Sequence, residues 1–109
     1  MTTETLPETL PVPDQEEIQE SRGKTSYLPL YRVIMWDDDI TTMEFVIRML
    51  IKIFQKDFSS SKKLMMDVHL KGQAHVDTLP LERAEFKVQM VHTAAALEDF
   101  PFRCTIEKV

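Results

Sequence analysis

Three consecutive carboxylates, Asp37, Asp38 and Asp39, stand in the run YRVIMWDDDITTMEF between two strongly apolar segments. Like charges this close repel, so the run calls for donors nearby or for a cation arriving from outside. Part of the charge is accounted for locally. Acids just before a helix meet its free N–H groups and the positive end of its dipole, worth roughly 0.3–1 kcal/mol each. A calcium loop does not fit, because its carboxylates alternate and a glycine makes its turn, whereas here the acids are consecutive and no glycine follows. Catalysis fits no better: there is no Ser/His/Asp order, no HExxH pair and no glycine loop to cradle a phosphate. No metal or cofactor is expected. Cation capture remains, and LMMDVHLKG supplies a collaborator, with Met65 and His69 at i, i+4 on one helix face. Taken singly, Met43, Met65 and Met66 read as core filling. Together with the acids they describe a pocket with an apolar floor and an acidic rim, suited to an amine beside a large hydrophobic side chain, such as the first residue of a polypeptide.

Positioning these groups falls to a short series of elements. Tyr31–Trp36 is β-branched and aromatic and reads as a mostly buried strand. Thr41, followed three residues later by Glu44, has capping-box spacing before an apolar run. A first helix is therefore expected from about Thr42 to Lys56, with Val46, Leu50, Ile53 and Phe54 at core spacing and cover on more than one side. Ser59, Ser60 and Ser61 offer caps for a second helix that Gly72 ends. Gln73–Leu79 is a short, irregular strand candidate. Pro80 opens a third helix in which Ala84, Val88, Val91 and Ala95 repeat at helical spacing. Phe102, Cys104 and Ile106 alternate with polar residues as a half-buried strand. The order β-α-α-β-α-β predicts a single small α+β domain, three helices on one face of a three-stranded sheet.

Bulk properties narrow the function classes. The chain has 109 residues, enough for one core, and its net charge of -5 argues against neutralising nucleic-acid phosphates. One cysteine, Cys104, excludes an internal disulfide and suits a reducing compartment. No apolar run approaches the roughly 18 residues of a membrane span, and MTTETLPETL resembles neither a secretory signal nor a basic transit peptide. A cytoplasmic monomer is the expectation. Residues 1–26 differ from the rest: they carry Pro7, Pro11 and Pro13, no aromatic residue, and six acids (Glu4, Glu8, Asp14, Glu16, Glu17, Glu20) against Arg22 and Lys24, a net charge of -4. That composition predicts a disordered, acidic tail ahead of a core domain at 27–109.

The run Y-R-V-I-M-W-D-D-D-I-T-T-M-E-F-V resembles the signature of the ClpS adaptors, approximately Y-K/R-V-hydrophobic-hydrophobic-x-N-D-D-x-T-x-M-E-F-V. The similarity continues through L-M-M-D-V-H-L-K-G and A-E-F-K-V to the closing P-F-R-C-T-I-E. It implies an adaptor rather than an enzyme. Such an adaptor binds substrates that begin with Phe, Tyr, Trp or Leu and delivers them to a AAA+ unfoldase, ClpA or ClpC, coupled to the ClpP protease. By position, the resemblance assigns Asp37, Asp38 and His69 to the substrate α-ammonium. It assigns Thr41, Met43, Val46, Met65, Val68 and Phe102 to the side-chain pocket, with Met43 crowding out β-branched residues. Glu82 and Lys87, expected on exposed turns of the third helix, match positions that touch the unfoldase, and the tail matches the segment the unfoldase engages.

Three departures stand out: Asp37 where the family usually has Asn, Phe102 where a smaller aliphatic residue is common, and Trp36 before the acidic turn. Asp lacks the amide donor of Asn and adds a charge, which should keep ammonium binding and make it more salt-sensitive. The Asp37 departure leaves a rival open: an interaction module that docks on an unfoldase without reading N-termini. A hydrolase built on Asp38 and His69 would lack a nucleophile and an oxyanion donor pair.

Overall fold

The computed structural model describes residues 28–109. The expected acidic tail at 1–26, together with Tyr27, lies outside the described residues. Six elements follow in the order β-α-α-β-α-β: β1 (Leu30–Trp36), α1 (Met43–Lys52), α2 (Phe58–Lys71), β2 (Gln73–Pro80), α3 (Leu81–Leu97) and β3 (Arg103–Lys108). The sheet is antiparallel with β1 in the centre, in the order β2-β1-β3. A register shift between Val33 and Ile34 marks the irregularity opposite β2.

Strand alternation sets the layers. Val33 and Met35 of β1, Val76 of β2 and Cys104 of β3 turn toward the helices and are almost wholly buried. Helix α3 crosses all three strands, and α2 packs against α1 and β2. On the opposite face, the Trp36 indole N–H donates to Thr105 Oγ1 at 2.8 Å, and the Arg103 guanidinium lies 5.3 Å from its ring centre. Those contacts account for a tryptophan at that position. At the centre of the core sits Phe45, fully buried and edge-on to Phe100 and Phe102 at 5.2 and 5.9 Å. Each such aromatic pair contributes about 0.5–1.5 kcal/mol beyond burial. Val46, Leu50, Ile53 and Phe54 are buried as their spacing predicts, and Met49 joins them.

Several local expectations are corrected. The cap of α1 is Thr42, not Thr41: its hydroxyl accepts the Phe45 N–H at 3.1 Å, while the Thr41 hydroxyl is drawn to Asp38. Helix α1 ends at Lys52, short of Lys56, because the chain breaks direction at Gln55, which adopts φ 53°. Asp57, not a serine, caps α2 by accepting the Ser60 N–H at 2.7 Å. The three serines therefore fall inside the helix, and Ser61 is fully buried with no hydrogen-bond partner for its hydroxyl. Lys87 is buried, not exposed. Its ammonium donates to Gln55 Oε1 at 3.2 Å and lies 5.5 Å from the Phe54 ring centre, and desolvation pushes its pKa down.

Candidate functional site

The acidic turn begins where β1 stops. Asp37 N–H donates to the Gly72 carbonyl at 2.9 Å, pinning the turn to the end of α2. Gly72 makes this possible by adopting φ 89°, a left-handed conformation that closes the helix through its own N–H to the Val68 carbonyl. The sequence thus brings two distant segments together at one point, the end of a strand and the last turn of a helix that carries His69.

The three aspartates do different work. Asp38 faces back into the turn: Oδ1 accepts the backbone N–H groups of Ile40 and Thr41 at 2.8 and 2.7 Å, and Oδ2 accepts the Thr41 hydroxyl at 2.7 Å. Its partial burial opposes ionisation, but the hydrogen bonds from Thr41 and Ile40 outweigh that and hold the carboxyl below its ordinary value. Asp37 and Asp39 are exposed and lie outside this hydrogen-bond set. Asp37 Oδ1 stands 3.8 Å from His69 Nδ1, beyond hydrogen-bond distance.

These groups rim a cavity of about 210 Å³ lined by Asp37, Asp38, Asp39, Thr41, Met43, Val46, Met65, Val68 and His69. Val46, Met65 and Val68 are buried and form its floor, whereas Met43 is 45% exposed. The volume is below the ~300–1,000 Å³ of drug-sized sites and suits a single amino-acid side chain. Larger depressions on the outward faces of α2 and α3 are shallow and open. Chemically, the cavity offers an apolar slot with anionic acceptors at one end, which complements an alkylammonium with a hydrophobic substituent. No group of three or more His, Cys, Asp or Glu among the described residues is arranged to hold a metal ion.

Eight of the nine residues expected at the substrate site therefore meet at one cavity. Phe102 does not line it: its ring is buried against Phe45. Asp39 lines it as well and was missed, because the sequence does not reveal that all three consecutive acids border the same cavity. Glu82 is exposed on the first turn of α3, while Lys87 is tucked toward Gln55. No helix among the described residues is long and apolar enough to cross a membrane.

Known proteins are similar to this chain in sequence and in fold. The family model described as ATP-dependent Clp protease adaptor protein ClpS matches residues 26–105. The ClpS adapter of Nitratidesulfovibrio vulgaris strain Miyazaki F is 38% identical over 95 residues, covering 87% of this chain and 88% of that protein. That of Desulforapulum autotrophicum is 40% identical over 85 residues, covering 78% and 82%. A solved structure of Agrobacterium tumefaciens ClpS2 bound to L-phenylalaninamide superposes with a TM-score of 0.73 at 29% identity, covering 76% of this chain and 100% of that one. The chain belongs to the ClpS family of ATP-dependent Clp protease adaptor proteins, and it is an adaptor rather than an enzyme.

Proposed function

We propose that this adaptor reads the free N-terminal residue of substrate proteins in the cavity between the acidic turn, α1 and α2, and delivers those substrates to a Clp AAA+ unfoldase, ClpA or ClpC, for degradation by ClpP in the cytoplasm. The observation that carries the reading is the union of a buried apolar floor with carboxylates not already spent on the fold. The substrate ammonium has three donors and no acceptor. Asp37, Asp39 and His69 Nδ1 supply acceptors for it, and Asp38 holds the turn that presents them. The side chain of the first residue enters between Met43, Val46, Met65 and Val68, with Thr41 at the rim. The binding of phenylalaninamide by the A. tumefaciens relative supports the same chemistry here.

The magnitudes agree. Burying one Phe or Leu side chain supplies roughly 1.5–3 kcal/mol, and each charge-assisted hydrogen bond roughly 1.5–3 kcal/mol before desolvation. Micromolar affinity needs about -8 kcal/mol, so one peptide end suffices. An internal residue has no ammonium and leaves the acids unmatched. Glu82 offers the unfoldase an exposed charge, and the acidic segment 1–26 supplies a length of chain for the unfoldase to grip.

Fluorescence anisotropy with peptides differing only in their first residue tests this reading. Phe, Tyr, Trp and Leu are expected to bind, and Val and Ile to bind more weakly because Met43 crowds a branched Cβ. Affinity that ignores the first residue would favour docking without recognition of N-termini.

A further inference from the structure

Two helix faces of the described residues leave large hydrophobic side chains in water, and they differ in charge. Along α3, Phe86, Met90 and Leu97 are exposed beside Glu82 and Glu85, with Arg83 as the one base of that first stretch. Along α2, Phe58 is 60% and Leu70 72% exposed, and Phe58, Ser59, Lys62, Lys63 and Met66 line a shallow depression of about 540 Å³. Spacing of i, i+4 puts Phe58, Lys62, Met66 and Leu70 on one stripe, with Lys63 at its edge. The nearby Asp67 is paired with Lys71 at 3.8 Å, so among the described residues the charge left without a salt-bridge partner on this face is that of Lys62 and Lys63.

The chain contains a segment of the opposite character. Residues 1–26 hold six acids against two bases, interspersed with Leu6, Leu10, Val12 and Ile18. Reach is no obstacle: 26 residues can extend roughly 85 Å, and the described residues span no more than 43 Å. Charge also selects between the two faces, since acids are repelled by the Glu82–Glu85 end of α3 and attracted by the lysines of α2.

We propose that the acidic N-terminal segment docks on the lysine-flanked apolar face of α2, its acids meeting Lys62 and Lys63 and its leucines and isoleucine covering Phe58, Met66 and Leu70. This docking is independent of N-terminal residue recognition. Its strength falls with salt.

The test uses the full chain with a nitroxide on Gln15→Cys. Buried Cys104, 3% exposed, stays unlabelled in the folded protein. Amide signals at Lys62, Lys63 and Met66 are expected to broaden much more than those at Phe86, Met90 and Leu97. That broadening is expected to be lost in Lys62→Glu/Lys63→Glu and in 1 M salt, where the screening length is about 3 Å. Both lysines are exposed, so the double variant retains the fold. Equal broadening on the two faces, or broadening unmoved by the charge reversal, overturns the proposal. So does broadening that fades on dilution, which would place the contact between copies.

Discussion

At the Asp37–Thr41 turn, carboxylates stand over a floor of Val46, Met65 and Val68; along α3, Glu82 and Glu85 stand beside Phe86, Met90 and Leu97. Both regions combine acids with hydrophobic side chains, and composition alone would rank them together. They differ in enclosure and in hydrogen-bond accounting. The turn folds around a cavity, and one of its acids, Asp38, is consumed in building it, which leaves the Asp37 and Asp39 carboxylates at the rim of an apolar slot. The α3 face is a shallow, open depression, and its apolar side chains Phe86, Met90 and Leu97 are exposed. Preorganised acceptors bind without a further ordering cost, whereas a flat face must order itself and its partner. The cavity has room for a single side chain, whereas the α3 face offers only a broad, open surface.

The comparison breaks most readily at Asp39. Replacing Asp39 by Ala removes a charged acceptor worth roughly 1.5–3 kcal/mol, so affinity for a Phe-initiated peptide should fall by about 10- to 100-fold with thermal stability unchanged. Phe86→Ser, on the other face, should leave that affinity alone. Equal losses from the two variants, measured by anisotropy, would erase the distinction.

A second test separates the acid that builds the turn from those that use it. Asp38→Ala deletes the acceptor for Ile40 and Thr41, and by analogy with a lost helix cap should cost about 1–2 kcal/mol of stability as well as affinity. Asp38→Asn keeps an acceptor for the two backbone N–H groups and a donor for the Thr41 hydroxyl, so it should recover most of the stability. The carboxyl of Asp38 is held below its ordinary value, a shift that adds stability above the unfolded-state pKa near 4. That stability is lost as pH falls through the depressed folded value. Asp38→Asn should therefore flatten the acid limb of a denaturation-versus-pH profile, leaving the part that Asp57, likewise depressed by its bonds to Ser60, contributes. An unchanged limb would show that the turn does not depend on the ionised form.

Much of this was legible in the sequence, and the gaps have physical causes. The spacing of Ala84, Val88, Val91 and Ala95 located α3 and its buried face, and Gly72 located the end of α2. The caps were misplaced because adjacent hydroxyls compete. Thr41 and Thr42 are chemically alike, and only the claim of Asp38 on Thr41 decides between them. Lys87 lies three residues from Ala84 and four from Val91, on the edge of the buried stripe, which was a readable sign of its burial. Phe102 was assigned to the pocket by position, yet its place depends on where the loop after α3 delivers it, and the ring lies against Phe45 instead. That Asp39 joins Asp37 and Asp38 in lining the cavity depends on turn dihedrals that no local pattern encodes.

The smallest expected effect concerns Asp37. Asp37→Asn removes one rim charge and restores an amide, so peptide affinity should depend less steeply on salt than in the native chain. Identical slopes in the two proteins would mean that Asp37 acts through geometry rather than charge.

The most direct measurement compares one Phe-initiated peptide with its N-acetylated form. Acetylation keeps the side chain and removes the ammonium, so the acids at the rim lose their partner while the slot can still be filled. Binding should weaken by about 100-fold or more, the equivalent of roughly 2.7 kcal/mol. Equal affinity for the two peptides would contradict recognition of the free amine at this cavity.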